Sequence, residues 1–61
     1  MTVFDYFENQ VTVVKVNMKN ETATVITKKG ERLIQPFKFL VSDGGINEIL
    51  EEAEKREGVI R

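Results

Sequence analysis

The segment Gln10–Phe39 constrains the fold more than any other part of the chain, because the strands it predicts carry apolar residues on both faces. Its three runs of alternating residues are separated by short polar turns, a pattern typical of antiparallel strands. We predict strands near residues 11–18, 22–28 and 31–37. A sheet that is apolar on both faces needs a cover on each face. The rest of the chain, or another chain, therefore has to supply two covers.

Two short polar turns set how these strands pair. Lys19–Asn20 suits the first turn and Lys29–Gly30 the second, because Asn tolerates a positive φ angle and Gly adopts it freely. Two-residue turns fix the register of both hairpins. The predicted pairs are Val16 with Ala23, Val14 with Val25, Thr24 with Gln35, and Ile26 with Leu33. Because Pro36 has no backbone N–H, we expect the third strand to lie at an edge of the sheet.

This register divides the apolar residues between two faces. The first face, which we predict to be the core, contains Val14, Val16, Ala23, Val25 and Ile34. The second face mixes polar residues with Val11, Val13, Ile26, Leu33 and Phe37. An apolar row on the second face forms a candidate dimer face, made of Val13, Ile26 and Leu33. An error of one residue in either turn would move these side chains to the opposite face.

The last third of the chain predicts one amphipathic helix near residues 46–57. Its apolar residues recur at helical spacing and form a narrow stripe, made of Ile46, Ile49, Leu50 and Ala53. The preceding segment Ser42–Gly45 supplies a turn and a helix cap. We expect the stripe to dock on the first face of the sheet. The predicted fold class is therefore α+β, a small three- to four-stranded antiparallel β-meander packed by one C-terminal α-helix.

The N-terminal residues Met1–Glu8 fit either a helical turn or a short fourth strand. They contain three of the five aromatic side chains of the protein, Phe4, Tyr6 and Phe7. In either case we expect these rings to belong to the core. They are one candidate for the second cover of the sheet, and a second copy of the chain is the other.

Chain length favours the second copy. A domain of 61 residues buries only about 60% of the surface that its unfolded chain exposes. Domains of this size usually gain stability from disulfides, a structural metal or oligomerisation. The chain has no Cys and no His, which excludes disulfides and leaves zinc without good ligands. A homodimer is therefore the expected assembly.

The sequence contains no motif that indicates catalysis. Ser42 has no His to act as its base, and there is no Cys nucleophile. Gly44–Gly45 precedes a helix but lacks the Lys and the Ser or Thr of a phosphate-binding loop. We expect no catalytic residue, no cofactor, no metal and no small-molecule substrate. The chain has no membrane-spanning apolar run, and the lack of a basic, apolar leader favours the cytoplasm.

One cluster combines basic and aromatic residues on the predicted sheet, as in proteins that bind single-stranded nucleic acid. This candidate partner or nucleic-acid face consists of Lys15, Lys28, Lys29, Arg32, Gln35, Phe37 and Lys38. The net charge of −1 opposes nonspecific binding to nucleic acid. We therefore expect a non-enzymatic regulatory or adaptor protein that acts through protein–protein contacts as a homodimer. The alternative is a nucleic-acid-binding module that uses the mildly basic sheet.

The layout, a β-meander followed by a helix, loosely resembles two classes of small protein. One consists of nucleic-acid-binding barrels of the archaeal chromatin type, which are far richer in Lys. The other consists of dimeric translational regulators of the carbon-storage type, which begin with an Arg-rich strand that this chain lacks. The resemblance is one of layout, and no motif is shared with either class.

Overall fold

Within residues 3–61, which the computed structural model describes, six strands form one sheet and are accompanied by one helix. The strands are β1 (Val3–Phe4), β2 (Gln10–Asn17), β3 (Thr22–Thr27), β4 (Arg32–Pro36), β5 (Val41–Ser42) and β6 (Gly58–Ile60). Helix α1 spans Gly45–Glu54, and a 3-10 turn spans Phe37–Phe39. The α+β class is confirmed, whereas the predicted count of three or four strands is too low and a strand follows the helix.

The strands lie in the order β4–β3–β2–β1–β5, and neighbours in this order are antiparallel. On the side away from β3, strand β2 has two partners. Its start pairs with β1, and residues 15–17 pair in parallel with β6. Strand β4 lies at an edge, as Pro36 predicts. Strand β5 lies at the opposite end of the order, yet only residues 37–40 connect it to β4. The sheet therefore curls strongly, because so short a connection has to join its two ends.

A β-bulge at Val14 decides which side chains of β2 reach the core. The pairing of β2 with β3 shifts by one residue between Val13 and Lys15. The extra residue interrupts the alternation of the strand. Val11, Val13 and Val16 are therefore all buried, although an unbroken strand would place Val16 on the opposite face from the other two. The predicted division of these valines between two faces is wrong.

The turn between β3 and β4 is one residue longer than predicted. Thr27 N–H donates to the Glu31 carbonyl at 2.9 Å, which leaves Lys28–Gly30 as a three-residue loop. Gly30 adopts a φ angle of 85°, in the left-handed region that glycine reaches without strain. Three-residue hairpin loops commonly place a glycine in this conformation. The register of β4 is consequently shifted by one residue from the predicted one.

This shift exchanges the two faces of β4. Leu33 lies opposite the buried Val25, and Ile34 lies opposite Thr24 on the outer face, where 72% of Ile34 is exposed. The predicted core position of Ile34 is therefore wrong. The outer face has two rows across the central strands, Thr12–Ile26–Arg32 and Lys15–Thr24–Ile34. The sheet thus has one apolar face and one mainly polar face, and the need for a second cover disappears.

The core is a cluster of small and branched aliphatic side chains. It comprises Val3, Val11, Val13, Val16, Ala23, Val25, Leu40, Ile49 and Ala53. The predicted pair of Val16 and Ala23 is confirmed and lies within this cluster. Phe37, Leu50 and Val59 pack around it and are partly buried. Among the described residues, no aromatic side chain is fully buried.

The helix stripe meets this core as predicted, with one exception. Ile49 and Ala53 are buried and Leu50 packs against the cluster, whereas Ile46 remains exposed. The helix ends at Glu54, three residues earlier than predicted, and Gly58 with a φ angle of 102° turns the chain into β6. The helix therefore covers the sheet over a shorter length than the sequence pattern suggests, and β6 adds Val59 to the cover.

The N-terminal segment contains a strand, which is one of the two predicted alternatives. The predicted segment also included Met1 and Thr2, which lie outside the described residues. Val3 is buried, so the alternation of β1 directs Phe4 outward. Tyr6 and Phe7 follow in the loop and are 69% and 80% exposed. The prediction that these three aromatic rings belong to the core is therefore wrong.

Candidate interaction surface

The loop Asp5–Asn9 is closed by hydrogen bonds that involve its first residue, Asp5. Asp5 is buried, and its Oδ1 accepts hydrogen bonds from the backbone N–H groups of Phe7 at 2.9 Å and Asn9 at 2.8 Å. Asp5 N–H also donates to the Asn9 carbonyl at 2.9 Å. Such carboxylate-to-backbone contacts are typical of Asx turns. They fix a short loop whose tip residues, Tyr6 and Phe7, point away from the core.

Three aromatic rings form a cluster on the surface beside this loop. The ring centroids of Tyr6 and Phe7 are 5.9 Å apart at an interplanar angle of 89°, and those of Tyr6 and Phe39 are 5.6 Å apart at 61°. Lys38 Nζ lies 5.5 Å from the centroid of Phe39. Edge-to-face contact is one of the arrangements that pairs of aromatic rings prefer. We call Tyr6, Phe7 and Phe39 the exposed aromatic cluster.

Two further exposed apolar side chains lie close to the exposed aromatic cluster in the sheet. Phe4 of β1 lies opposite Val41 of β5, and both are exposed on the outer side of the ladder. Phe4 is two residues from Tyr6, and Val41 is two residues from Phe39. This end of the molecule therefore exposes several large apolar side chains together, which is the usual composition of a binding surface.

A cleft of about 510 Å³ lies between the Asp5–Asn9 loop and the hairpin that joins β3 to β4. Phe4 and Leu33 supply its apolar surface. Asp5 and Glu8 line it from the loop side, and Lys28, Lys29 and Glu31 line it from the hairpin side. The cleft thus combines an apolar surface with both acidic and basic residues.

The structure disperses the basic and aromatic residues that we predicted as a partner or nucleic-acid face. Lys28 and Lys29 lie in the hairpin loop, and Lys38 lies beside Phe39. Lys15 and Arg32 lie on the outer face of the sheet, whereas Gln35 lies opposite Ala23 on the core side. Phe37 packs against the core. Only Lys28, Lys29 and Lys38 remain near exposed aromatic residues.

Arg32 is held by a carboxylate rather than presented to a ligand. Its Nη1 and Nη2 donate to the two carboxylate oxygens of Glu57 at 2.7 and 2.6 Å. The hydrogen bond and the charge of Arg32, together with the charge of Lys15, lower the pKa of Glu57 from its ordinary value. The same hydrogen bond raises the pKa of Arg32. This ion pair neutralises Arg32, whose positive charge the predicted nucleic-acid site would need free.

The candidate dimer face made of Val13, Ile26 and Leu33 is not formed. Val13 is 1% exposed and belongs to the core. Ile26 lies on the outer face opposite Arg32, and Leu33 lies on the other face opposite Val25. The bulge in β2 and the longer hairpin loop place Val13 and Leu33 on either side of Val25, and both are thereby separated from Ile26.

The sequence did contain a signal for the exposed aromatic cluster. Asp5 and Asn9 stand four residues apart around Tyr6 and Phe7, and Asp followed by a polar residue at this distance favours a closed turn. Tyr6 and Phe7 lie between these two residues, and both are exposed in the structure. Phe39 had no comparable signal, because its position depends on the 3-10 turn.

The remaining chemistry of the described residues is sparse. Ser42 Oγ donates to Glu48 Oε1 at 2.7 Å, at the start of the helix. Within residues 3–61, no three His, Cys, Asp or Glu side chains are grouped so that they could hold a metal ion. No helix in the same range has the length and apolar character needed to span a membrane. No protein-family model, curated protein or solved structure matches the chain.

Proposed function

We propose that the protein is a non-enzymatic regulatory or adaptor module that acts through protein–protein contacts and forms a homodimer. The observation that carries this proposal is the exposed aromatic cluster of Tyr6, Phe7 and Phe39. A domain this small gains most of its stability by burying apolar surface, so leaving its largest rings in water sacrifices stability. A protein partner would recover that burial.

The composition of the surface supports a protein partner. Aromatic residues are enriched in protein interfaces, and a few of them usually contribute most of the binding energy. Tyr6 and Phe7 are held by a loop that Asp5 closes, so little conformational entropy is lost when they bind. Lys38 and Glu8 lie beside these rings and supply the charged rim that is usual around such a centre. For localisation we propose the cytoplasm, which the absence of Cys favours.

Nucleic-acid binding is the alternative function, and Lys38 beside Phe39 is the observation that favours it. A cation next to an exposed ring is the arrangement that holds a phosphate while a base stacks. Three features weigh against it: Arg32 is neutralised by Glu57, the rings are packed edge to face, and the net charge is −1. We therefore rank protein contact first.

Sedimentation equilibrium of the intact chain between about 1 and 100 µM tests the homodimer, because weak interfaces of small size dissociate in this range. We expect the average mass to rise from one chain to two. Fluorescence anisotropy with a labelled single-stranded oligonucleotide, at low and at high salt, tests the alternative. A monomeric protein whose oligonucleotide binding weakens steeply with added salt would overturn the proposal in favour of nucleic-acid binding.

A further inference from the structure

The chain contains two aspartates, and the fold places them in opposite environments. Asp5 is buried, and its Oδ1 accepts hydrogen bonds from two backbone N–H groups of its own loop. Asp43 is exposed in the turn that joins β5 to α1. The residues that follow them also differ, since Tyr6 follows Asp5 and Gly44 follows Asp43. Exposure and a glycine neighbour together make Asp43 the aspartate that can react with its own backbone.

The reaction joins the backbone nitrogen of the glycine to the side chain of the preceding aspartate. The Gly44 nitrogen loses its proton and bonds to Asp43 Cγ, and the protonated carboxyl group releases its hydroxyl as water. Water then adds to one of the two carbonyls of the resulting succinimide ring. Addition at Cγ restores aspartate, whereas addition at the backbone carbonyl gives isoaspartate, in which the main chain runs through the former side chain. One water leaves and one enters, so no oxidant, reductant or other co-reactant is needed.

The start of the helix keeps position 44 a glycine. A Cβ placed on Gly44 would lie 2.5 Å from Oε2 and 2.8 Å from Cβ of Glu48, which is closer than side chains approach one another. Glu48 is held in this position, because its Oε1 accepts a hydrogen bond from Ser42 Oγ at 2.7 Å. A larger residue would shield the backbone nitrogen and slow ring closure, but it could not replace Gly44 without displacing Glu48. The fold therefore retains an Asp–Gly sequence in an exposed turn.

We propose that Asp43–Gly44 is a modification site, at which the folded protein spontaneously converts aspartate to isoaspartate. Surface turns tolerate the backbone rotation that ring closure requires better than strands or helices do. Asp5 is protected in the same molecule, because its carboxylate is buried and bonded to backbone N–H groups. This inference goes beyond the proposed function and does not depend on the homodimer.

Isoaspartate would change the connection between β5 and α1. Its main chain is one atom longer than that of aspartate, so the distance along the chain from Ser42 to the helix increases. The hydrogen bond from Ser42 to Glu48 spans this point, and the buried Ile49 directly follows Glu48. We therefore expect the first turn of α1 to exchange its amide hydrogens faster in the modified chain, while β3 keeps its protection.

Prolonged incubation of the intact chain at neutral pH and physiological temperature tests the proposal. A protein isoaspartyl methyltransferase with labelled S-adenosylmethionine measures the isoaspartate formed, and electron-transfer fragmentation in a mass spectrometer locates it. We expect isoaspartate to accumulate at Asp43 and not at Asp5, with a minor species that is lighter by one water. Asp43→Glu is the matched variant, because it keeps the carboxylate but must close a larger ring, and it should lose the signal. Circular dichroism checks that both chains stay folded.

A synthetic peptide of residues 40–47 gives the reference rate for an unfolded chain, and the incubation continues until this peptide has accumulated isoaspartate. A folded chain that then shows none at Asp43 would overturn the proposal, because the turn would protect the site. Isoaspartate at Asp5 in an amount equal to or above that at Asp43 would also overturn it, since the fold would not confine the reaction to the exposed turn. Accumulation at Asp43 that is lost in Asp43→Glu supports the inference, whatever the oligomeric state.

Discussion

The two ends of strand β2 organise very different regions. The region around Val16 and the helix contains small aliphatic side chains that are almost completely buried, among them Ala23, Ile49 and Ala53. The region around the Asp5–Asn9 loop contains the rings of Tyr6 and Phe7, which are mostly exposed. The same chain thus builds its core from Val, Ala, Ile and Leu and leaves these two bulky side chains outside.

This difference separates the source of stability from the source of the proposed interaction. Burial of the aliphatic cluster supplies the folding free energy, since apolar stabilisation follows the area removed from water. Tyr6 and Phe7 add little to the fold, because 69% and 80% of their surface stays in contact with solvent. Substitutions in the two regions should therefore have opposite consequences, and the following predictions test that separation in order of expected effect on stability.

The largest effect should come from the helix contact with the core. Ile49→Ala removes a buried side chain and leaves a cavity, so we expect a loss of about 2–5 kcal/mol in the free energy of unfolding. Ile46→Ala at an exposed position of the same helix is the matched control and should cost far less. Urea denaturation followed by circular dichroism measures both. Equal losses for the two variants would show that the stripe does not dock as described.

A smaller effect should come from the closure of the aromatic loop. Asp5→Ala leaves the backbone N–H groups of Phe7 and Asn9 without their acceptor, and we expect a cost of about 1–3 kcal/mol. Amide hydrogen exchange of these two residues should accelerate more than that of β3. If exchange increased uniformly over the whole sheet instead, the loop would not be a region that opens independently of the core.

The aromatic rings themselves should matter little for folding. Tyr6→Ser/Phe7→Ser removes two exposed rings, and we expect the free energy of unfolding of the monomer to change by no more than about 0.5 kcal/mol. Thermal and urea unfolding at low protein concentration measure this change. A loss as large as that of Ile49→Ala would mean that the rings belong to the core after all.

The smallest effect concerns the exposed ion pair on the outer face. Because Arg32 lowers the pKa of Glu57 in the folded state, the pair stabilises the protein above the pKa of the unfolded carboxyl group. That stabilisation disappears as the pH falls through the lowered pKa of the folded state. The stability difference between wild type and Glu57→Gln should therefore be present at neutral pH and vanish in acid. A stability difference that grows on acidification would contradict a stabilising role for the Arg32–Glu57 ion pair.

The sequence pattern was sufficient to predict the elements that are determined by residues close together in the chain. The strands β2, β3 and β4, the edge position that Pro36 requires, and the stripe of Ile49 and Ala53 all follow from alternation, helical spacing and the chemistry of proline. The pairing of Val16 with Ala23 also follows, because it lies between the first turn and the bulge. These features depend only on residues close together in the chain.

The features that were missed depend on contacts between distant residues. Nothing in the run of valines indicates a bulge at Val14, whose carbonyl accepts a hydrogen bond at 2.8 Å from Glu57, far along the chain. Strand β6 exists because Gly58–Ile60 pairs with β2, and three residues are too few for a pattern. The exposed aromatic cluster was missed for the same reason, since it requires the 3-10 turn to bring Phe39 to Tyr6.

The central proposal is that the exposed aromatic cluster, and not the outer face of β4, holds two copies together. Sedimentation equilibrium of two matched variants tests it most directly: Phe7→Ser in the cluster, and Ile34→Ser at an equally exposed position on β4. We predict that Phe7→Ser is monomeric at concentrations where the wild type and Ile34→Ser are dimers. A Phe7→Ser variant that still dimerises would contradict the proposal, and an Ile34→Ser variant that alone becomes monomeric would contradict it and assign the interface to the edge strand.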